Sequence, residues 1–143
     1  LNSENKKDKY IWIDDFPTSN TELNDYMFSH KESLITRKIK KFTEINWWNW
    51  GAPRNIKNIE KNKGKSCIYI STLTRKKRVC FMDVVQYFGG GLIVMIPKKN
   101  IDLKKVVDYM NSDNFKVNYI YSGRFKIGHK QLCNCLFNSA DFS

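Results

Sequence analysis

Ser66-Cys67-Ile68-Tyr69-Ile70-Ser71-Thr72-Leu73, then Thr74-Arg75-Lys76-Lys77-Arg78, then Val79-Cys80-Phe81-Met82: this stretch decides the fold. Its outer runs are rich in β-branched and aromatic side chains, the composition of a pleated, half-buried strand. Between them lies a basic turn, so the stretch predicts an antiparallel hairpin. Four consecutive cations, Arg75 to Arg78, stand at its tip. Like charges side by side destabilise a fold unless something anionic neutralises them, so the tip is expected to meet a polyanion.

Downstream, Asp83-Val84-Val85-Gln86-Tyr87-Phe88 leads through Gly89-Gly90-Gly91 into Leu92-Ile93-Val94-Met95-Ile96-Pro97. Phosphate cradles open a helix, whereas solid β-formers follow this triple glycine, so a bulge, a tight bend or a close backbone approach to a ligand is expected. Leu103, Val106, Val107 and Met110 share one helical face, with Asn100 or Asp102 as cap. Asn111-Ser112-Asp113 breaks that helix, and a short helical piece through Phe115 and Val117 follows. In Tyr121-Ser122-Gly123-Arg124-Phe125-Lys126-Ile127-Gly128-His129-Lys130-Gln131, donors alternate with apolar residues. That composition predicts a loop laid along a nucleic-acid backbone.

Upstream, Tyr10 to Ile13 reads as a short β-like run stopped by Asp14-Asp15-Phe16-Pro17. Ser19-Asn20-Thr21-Glu22 has the pattern of a capping box opening a helix with Leu23, Tyr26, Met27 and His30 on one face. Ser29-His30-Lys31-Glu32 repeats the pattern, predicting a second helix that buries Leu34 or Ile35, Ile39 and Phe42. Its other face holds Arg37, Lys38, Lys40 and Lys41, where a basic last turn suits the helix dipole without any nucleic acid. Next comes Asn46-Trp47-Trp48-Asn49-Trp50-Gly51-Ala52-Pro53-Arg54-Asn55, with three of the four tryptophans. Indole rings this dense need a packed element against them, and Gly51 and Pro53 stop any long helix or central strand. Arg54 and Asn55 then present a planar fork beside an amide, a pair suited to phosphates or base edges. Ile56 to Lys65 reads as a charged loop ending at Gly64.

The 143 residues suffice for one domain with an attached helical arm, and 41% hydrophobic content supports a core. A net charge of +11 and a pI near 9.5 point to a polyanionic partner, although a Lys- and Asn-rich composition also fills solvated faces. The longest apolar run, Leu92 to Pro97, is too short to span a bilayer, and the polar start lacks the composition of a secretory signal. A start at Leu1 rather than Met suggests a piece of a longer polypeptide. Cys67, Cys80, Cys133 and Cys135 without secretory features predict reduced thiols and a cytoplasmic protein. Cys133-Asn134-Cys135 offers two candidate ligands but no completing pair, so no metal site is assigned. No phosphate-binding glycine motif, catalytic triad or carboxylate cluster can be placed, and no catalytic residue is assigned.

Taken in order, the Trp47 to Asn55 stretch, the Ile68 to Leu73 strand, the Tyr87 to Pro97 stretch, the helix ending Met110-Asn111-Ser112 and the Ser122 to Gly128 loop resemble a known family. It is the target-recognition region of type II adenine-specific DNA methyltransferases of restriction-modification systems, those with a TaqI-like specificity domain. The resemblance covers roughly Leu23 to Cys135. It implies a module that reads a short site in double-stranded DNA, while a separate catalytic domain flips the adenine and transfers methyl from S-adenosylmethionine. The family's catalytic Pro-Pro tetrapeptide and cofactor glycine motif are missing here, so no cofactor is expected in this chain. The catalytic domain is then expected upstream as a partner.

The expected architecture is therefore α+β, a mixed or antiparallel sheet with flanking helices. Residues 1–45 would form a helical linker from the catalytic domain, and 46–143 the recognition domain. Candidate DNA-binding residues are Arg54, Asn55, Thr74, Arg75, Lys76, Lys77, Arg78, Arg124, Lys126, His129, Lys130 and Gln131. Two other readings stand beside this one: a standalone single-strand binder stacking bases on tryptophans, and an accessory DNA-binding protein without a methylation role.

Overall fold

A computed structural model describes residues 1–135 and 139–142. The chain divides into two compact units, one of Lys9–Asn55 and one combining Leu1–Asp8 with Ile56–Ser143. The fold is α+β, and every strand pairing within the described residues is antiparallel.

The smaller unit holds two helices, α1 (Thr21–Ser29) and α2 (Lys31–Ile35). Asn20, not Ser19, caps α1: its amide oxygen accepts from the Leu23 amide at 2.9 Å. The second helix stops at Ile35, well short of the expected length, and leaves Ile39 exposed while Phe42 is buried. Arg37 shows why the chain turns there. Its guanidinium donates to the carbonyls of Leu34 (2.7 Å), Trp47 (2.7 Å) and Asn49 (3.0 Å) and lies over the Phe42 ring. Those carbonyls belong to a helix end and to an irregular segment, neither of which has a ladder to satisfy them. Trp47 joins Ile13 and Met27 in the core of this unit. Tyr10 to Ile13 forms no strand. Ile13 alone of the four is buried, and the Trp50 indole donates to the Ile11 carbonyl at 2.8 Å.

In the larger unit, Ile56 to Lys65 opens with a helix, α3 (Ile56–Asn62), where a loop was expected. Lys and Asn dominate the stretch, but Ile56 and Ile59 stand one turn apart, and Ile59 is buried. Gly64, with φ +84°, ends the turn in the left-handed conformation that glycine takes without strain. Then follow β1 (Ser66–Ser71), β2 (Leu73–Thr74), β3 (Cys80–Val84) and β4 (Leu92–Met95). The strand order β3-β1-β4 places β1 in the centre, with Ile70 opposite both Cys80 and Ile93. Both its faces are covered. Ile68 and Ile70 pack with Val106, Val107 and Met110, whereas Cys67 and Tyr69 pack with Ile59, Phe81 and Leu92.

Helix α4 (Leu103–Asn111) is capped by Asp102, whose carboxylate accepts from the Lys104 and Lys105 amides. Ser112 caps the next short helix, α5 (Asp113–Lys116), and a 3-10 turn (Val117–Tyr119) leads into β5 (Ile120–Tyr121). The Tyr121 to Gln131 stretch is not a loop. It is the end of a hairpin, with β6 (Arg124–Lys126), followed by helix α6 (His129–Cys133). The alternation of donors and apolar residues is the period of two of a strand, burying Phe125 and Ile127. Ser122 (φ +49°) and Gly123 (φ +70°) make the two-residue turn.

Burial holds two core thiols and a phenol in their protonated forms. It pushes Cys80 from 9.0 up to about 12, Cys67 up to about 11, and Tyr69 from 10.0 up to about 12. The unfolded chain ionises these groups first, so stability is full below pH 9.0 and falls as pH rises towards about 12. Urea midpoints taken from neutral to alkaline pH should show this decline. Native Cys67 and Cys80 should also resist alkylation at neutral pH, where exposed Cys133 reacts.

Candidate nucleic-acid interface

The predicted hairpin is real at its base and remodelled at its tip. After pairing with β3, the chain leaves the first sheet at Thr72 and enters a second, of order β2-β6-β5. Leu73 pairs with Lys126, Thr74 with Phe125, Ile120 with Phe125, and Tyr121 with Arg124. Opposed residues share a face, so Thr74, Phe125 and Ile120 form one row across the sheet. Leu73, Lys126, Arg124 and Tyr121 lie on the other face. The basic tip is thereby held beside the β5–β6 turn, a juxtaposition that a simple hairpin would not produce.

Between them runs an open groove of about 350 Å³. One wall is Thr74, Arg75, Lys76 and Lys77; Lys116, Val117, Ile120 and Gly123 form much of the other. Arg75, Lys76 and Lys77 are exposed, and none has a side-chain hydrogen bond or ion pair with any described residue. The Thr74 hydroxyl accepts from the Lys76 amide at 3.0 Å, which shapes the start of the tip. Lys116 anchors the tip from the side. Its ammonium donates to the Lys77 carbonyl at 3.3 Å and pairs with Asp113 at 3.1 Å. Arg78 differs from its neighbours, because its Nε pairs with Glu4 at 3.2 Å.

Behind the tip, Asn111 ties the strand to α4. Its side-chain oxygen accepts from the Val79 (2.7 Å) and Cys80 (3.2 Å) amides. Its NH2 donates to the carbonyls of Cys80 (3.0 Å) and Val107 (2.9 Å).

The other candidates are spread out. Arg124 is half-buried and Lys126 exposed, both on the sheet face opposite the groove row. His129 and Lys130 are exposed in the first turn of α6, with the His129 ring 3.6 Å from Cys133 Sγ. Gln131 is engaged locally, its side-chain oxygen accepting from the Gly128 amide at 2.8 Å. Arg54 and Asn55 are exposed in the smaller unit, and Asn55 takes a left-handed φ of +58°. Among the tryptophans, Trp47 is core, while Trp12 and Trp50 stack at 6.3 Å with both rings partly exposed. Lys116, Val117 and Ile120 were missed as groove residues. Nothing in their local sequence marks them, since the tertiary path of β2 is what brings them to the tip.

Gly89 to Gly91 lead into β4, and a side chain at Gly89 would meet Asn2 Oδ1 at 2.9 Å. Gly89 thus serves a close approach of two chain segments, and the run leads into a strand and not a helix. Among the described residues no group of His, Cys, Asp and Glu is placed to hold a metal, and no helix is long and apolar enough to cross a membrane.

The Thr74 to Lys77 segment thus lines a basic groove on a small antiparallel scaffold. The sequence is 29% identical over 142 residues to the type II methyltransferase M.MjaIV of Methanocaldococcus jannaschii. The aligned region takes in 98% of this chain and 46% of that protein, so the chain spans about half the length of the curated relative it matches. The similarity supports a methyltransferase-related role. No family model matches the sequence, and no solved structure matches it.

Proposed function

We propose that this chain is the DNA target-recognition part of a type II adenine-specific methyltransferase with a TaqI-like specificity region, serving a restriction-modification system in the cytoplasm. The observation that carries the reading is the Arg75-Lys76-Lys77 wall: three adjacent cations on an exposed tip, none of them paired with an acid among the described residues. Phosphates are the natural counter-charge for such a wall. The 29% identity to a type II methyltransferase over nearly the whole chain favours DNA over other polyanions.

Arg75, Lys76 and Lys77 would grip the duplex backbone, with Thr74 and the β5–β6 turn setting its approach. Arg78, Arg124, Lys126, His129 and Lys130 would extend the basic surface, and Arg54, Asn55 and Gln131 would supply further contacts to phosphates or base edges. Methyl transfer would belong to a separate catalytic region that binds S-adenosylmethionine. The glycine run here leads into a strand and not a helix, which does not fit that cofactor's glycine motif.

The test is binding of the full chain to duplexes of several sequences, and to their single strands, over a salt series. The expected result is duplex preference, sequence selectivity and a steep loss of affinity with salt. The exposed Trp12–Trp50 stack favours a second reading, a single-strand binder using ring faces. Equal or tighter binding of the single strand, with quenching of tryptophan fluorescence, would replace the first reading by the second.

A further inference from the structure

The groove beside the basic tip carries something that phosphate binding does not need. Its far wall presents Val117, 68% exposed, and Ile120, 48% exposed. Both are β-branched aliphatics, and neither belongs to the buried core clusters. Apolar carbon facing water at the rim of a cationic groove is a contact surface in wait for a small apolar group. The groove lining contains no Asn or Gln to read adenine through its amide, and its acid, Asp113, is paired with Lys116. Lys116 is likewise held by Asp113 and the Lys77 carbonyl.

We propose that Val117 and Ile120 seat the 5-methyl group of a thymine in the DNA major groove while Arg75, Lys76 and Lys77 hold the flanking phosphates. This rests on the duplex-binding reading and adds to it the base that the groove recognises. The major groove exposes that methyl group at every A·T pair, beside an acceptor oxygen. Apolar contact is the means by which proteins distinguish it. The two walls divide the labour: cations position the duplex, and the aliphatic pair reads one base.

The experiment selects duplexes bound by the full chain from a randomised pool, then remakes the best with deoxyuridine for each thymine in turn. This swap removes the methyl group and nothing else. At a particular thymine, affinity should fall about 4-fold, the worth of burying one methyl-sized group. In Val117→Ala with Ile120→Ala, the thymine and deoxyuridine duplexes should bind alike, with the salt slope unchanged. Both side chains are exposed, so the variant should keep its thermal midpoint, which a melt verifies. The proposal is overturned if deoxyuridine is tolerated at every position, if the selected duplexes need no thymine, or if the difference survives in the double variant. A chain that binds no duplex at any salt overturns the DNA-binding reading itself, a different and recognisable outcome.

Discussion

Replacing Arg75, Lys76 and Lys77 together by alanine should weaken duplex binding about a hundredfold near physiological salt. Each phosphate contact adds about 0.9 to the salt exponent, or roughly 0.7 of a decade in affinity near 0.15 M. Three contacts therefore sum to about two decades, and the slope of log affinity against log salt should become shallower by about 2.7. No described residue bonds to these three side chains, so the thermal midpoint should not fall. It should rise slightly, because three like charges are removed from one turn. A filter-binding or anisotropy series across salt reads both the affinity and the slope. Unchanged slope in the triple variant would show that the tip does not touch phosphate. Arg78→Ala is the internal contrast. Its pairing with Glu4 leaves that guanidinium less available, so its loss should change binding less than any of the other three.

Asn111→Ala should lower the stability of the larger unit by about 3 kcal/mol, the scale set by orphaning buried backbone groups at about 1–3 kcal/mol each. The side chain serves four backbone partners at once, two amides and two carbonyls, and it joins α4 to the strand that follows the basic tip. Alanine leaves the Val79 amide without the partner 2.7 Å away that the native chain provides. Asn111→Asp separates the contributions. It keeps the acceptor for both amides and loses the donor to the carbonyls, so it should fall between the native chain and the alanine variant. Urea unfolding measures each. A loss under about 1 kcal/mol for alanine would mean that water replaces the bracket, since a solvated partner is nearly neutral. Because Val79 lines the groove, the alanine variant should also bind DNA more weakly than its stability loss alone accounts for.

Much of this was legible from local chemistry. Ile68 to Ile70 had to be strand, since β-branched and aromatic residues in a short run fit a buried pleated surface. Leu103, Val106, Val107 and Met110 repeat at helical spacing, and they are the face that α4 turns to the sheet. The Met110-Asn111-Ser112 helix end stood out as a family-like feature before its reason was visible. Asn111 is the bracket to β3 and Ser112 is the cap of α5. Other elements were hidden for physical reasons. In Ile56 to Asn62, one buried isoleucine among lysines and asparagines gives too thin an apolar stripe to announce a helix. In Tyr121 to Gln131, strand alternation and the donor spacing of a binding loop are the same pattern. Only the partners Leu73, Thr74, Ile120 and Tyr121 distinguish them.

The sequence by itself determined the α+β class, the Ile68 to Ile70 strand, the amphipathic helix and the run of four cations that follows the strand. These follow from side-chain volume, periodicity and charge, all properties of neighbouring residues. Only the tertiary structure decided what the tip faces. Strand β2 leaves the first sheet to pair with β6, and this long-range hydrogen bonding is not encoded by any local period. It carries Arg75 to Lys77 to the edge of Val117 and Ile120, and so turns a run of cations into one wall of a groove whose other side bears exposed aliphatic side chains.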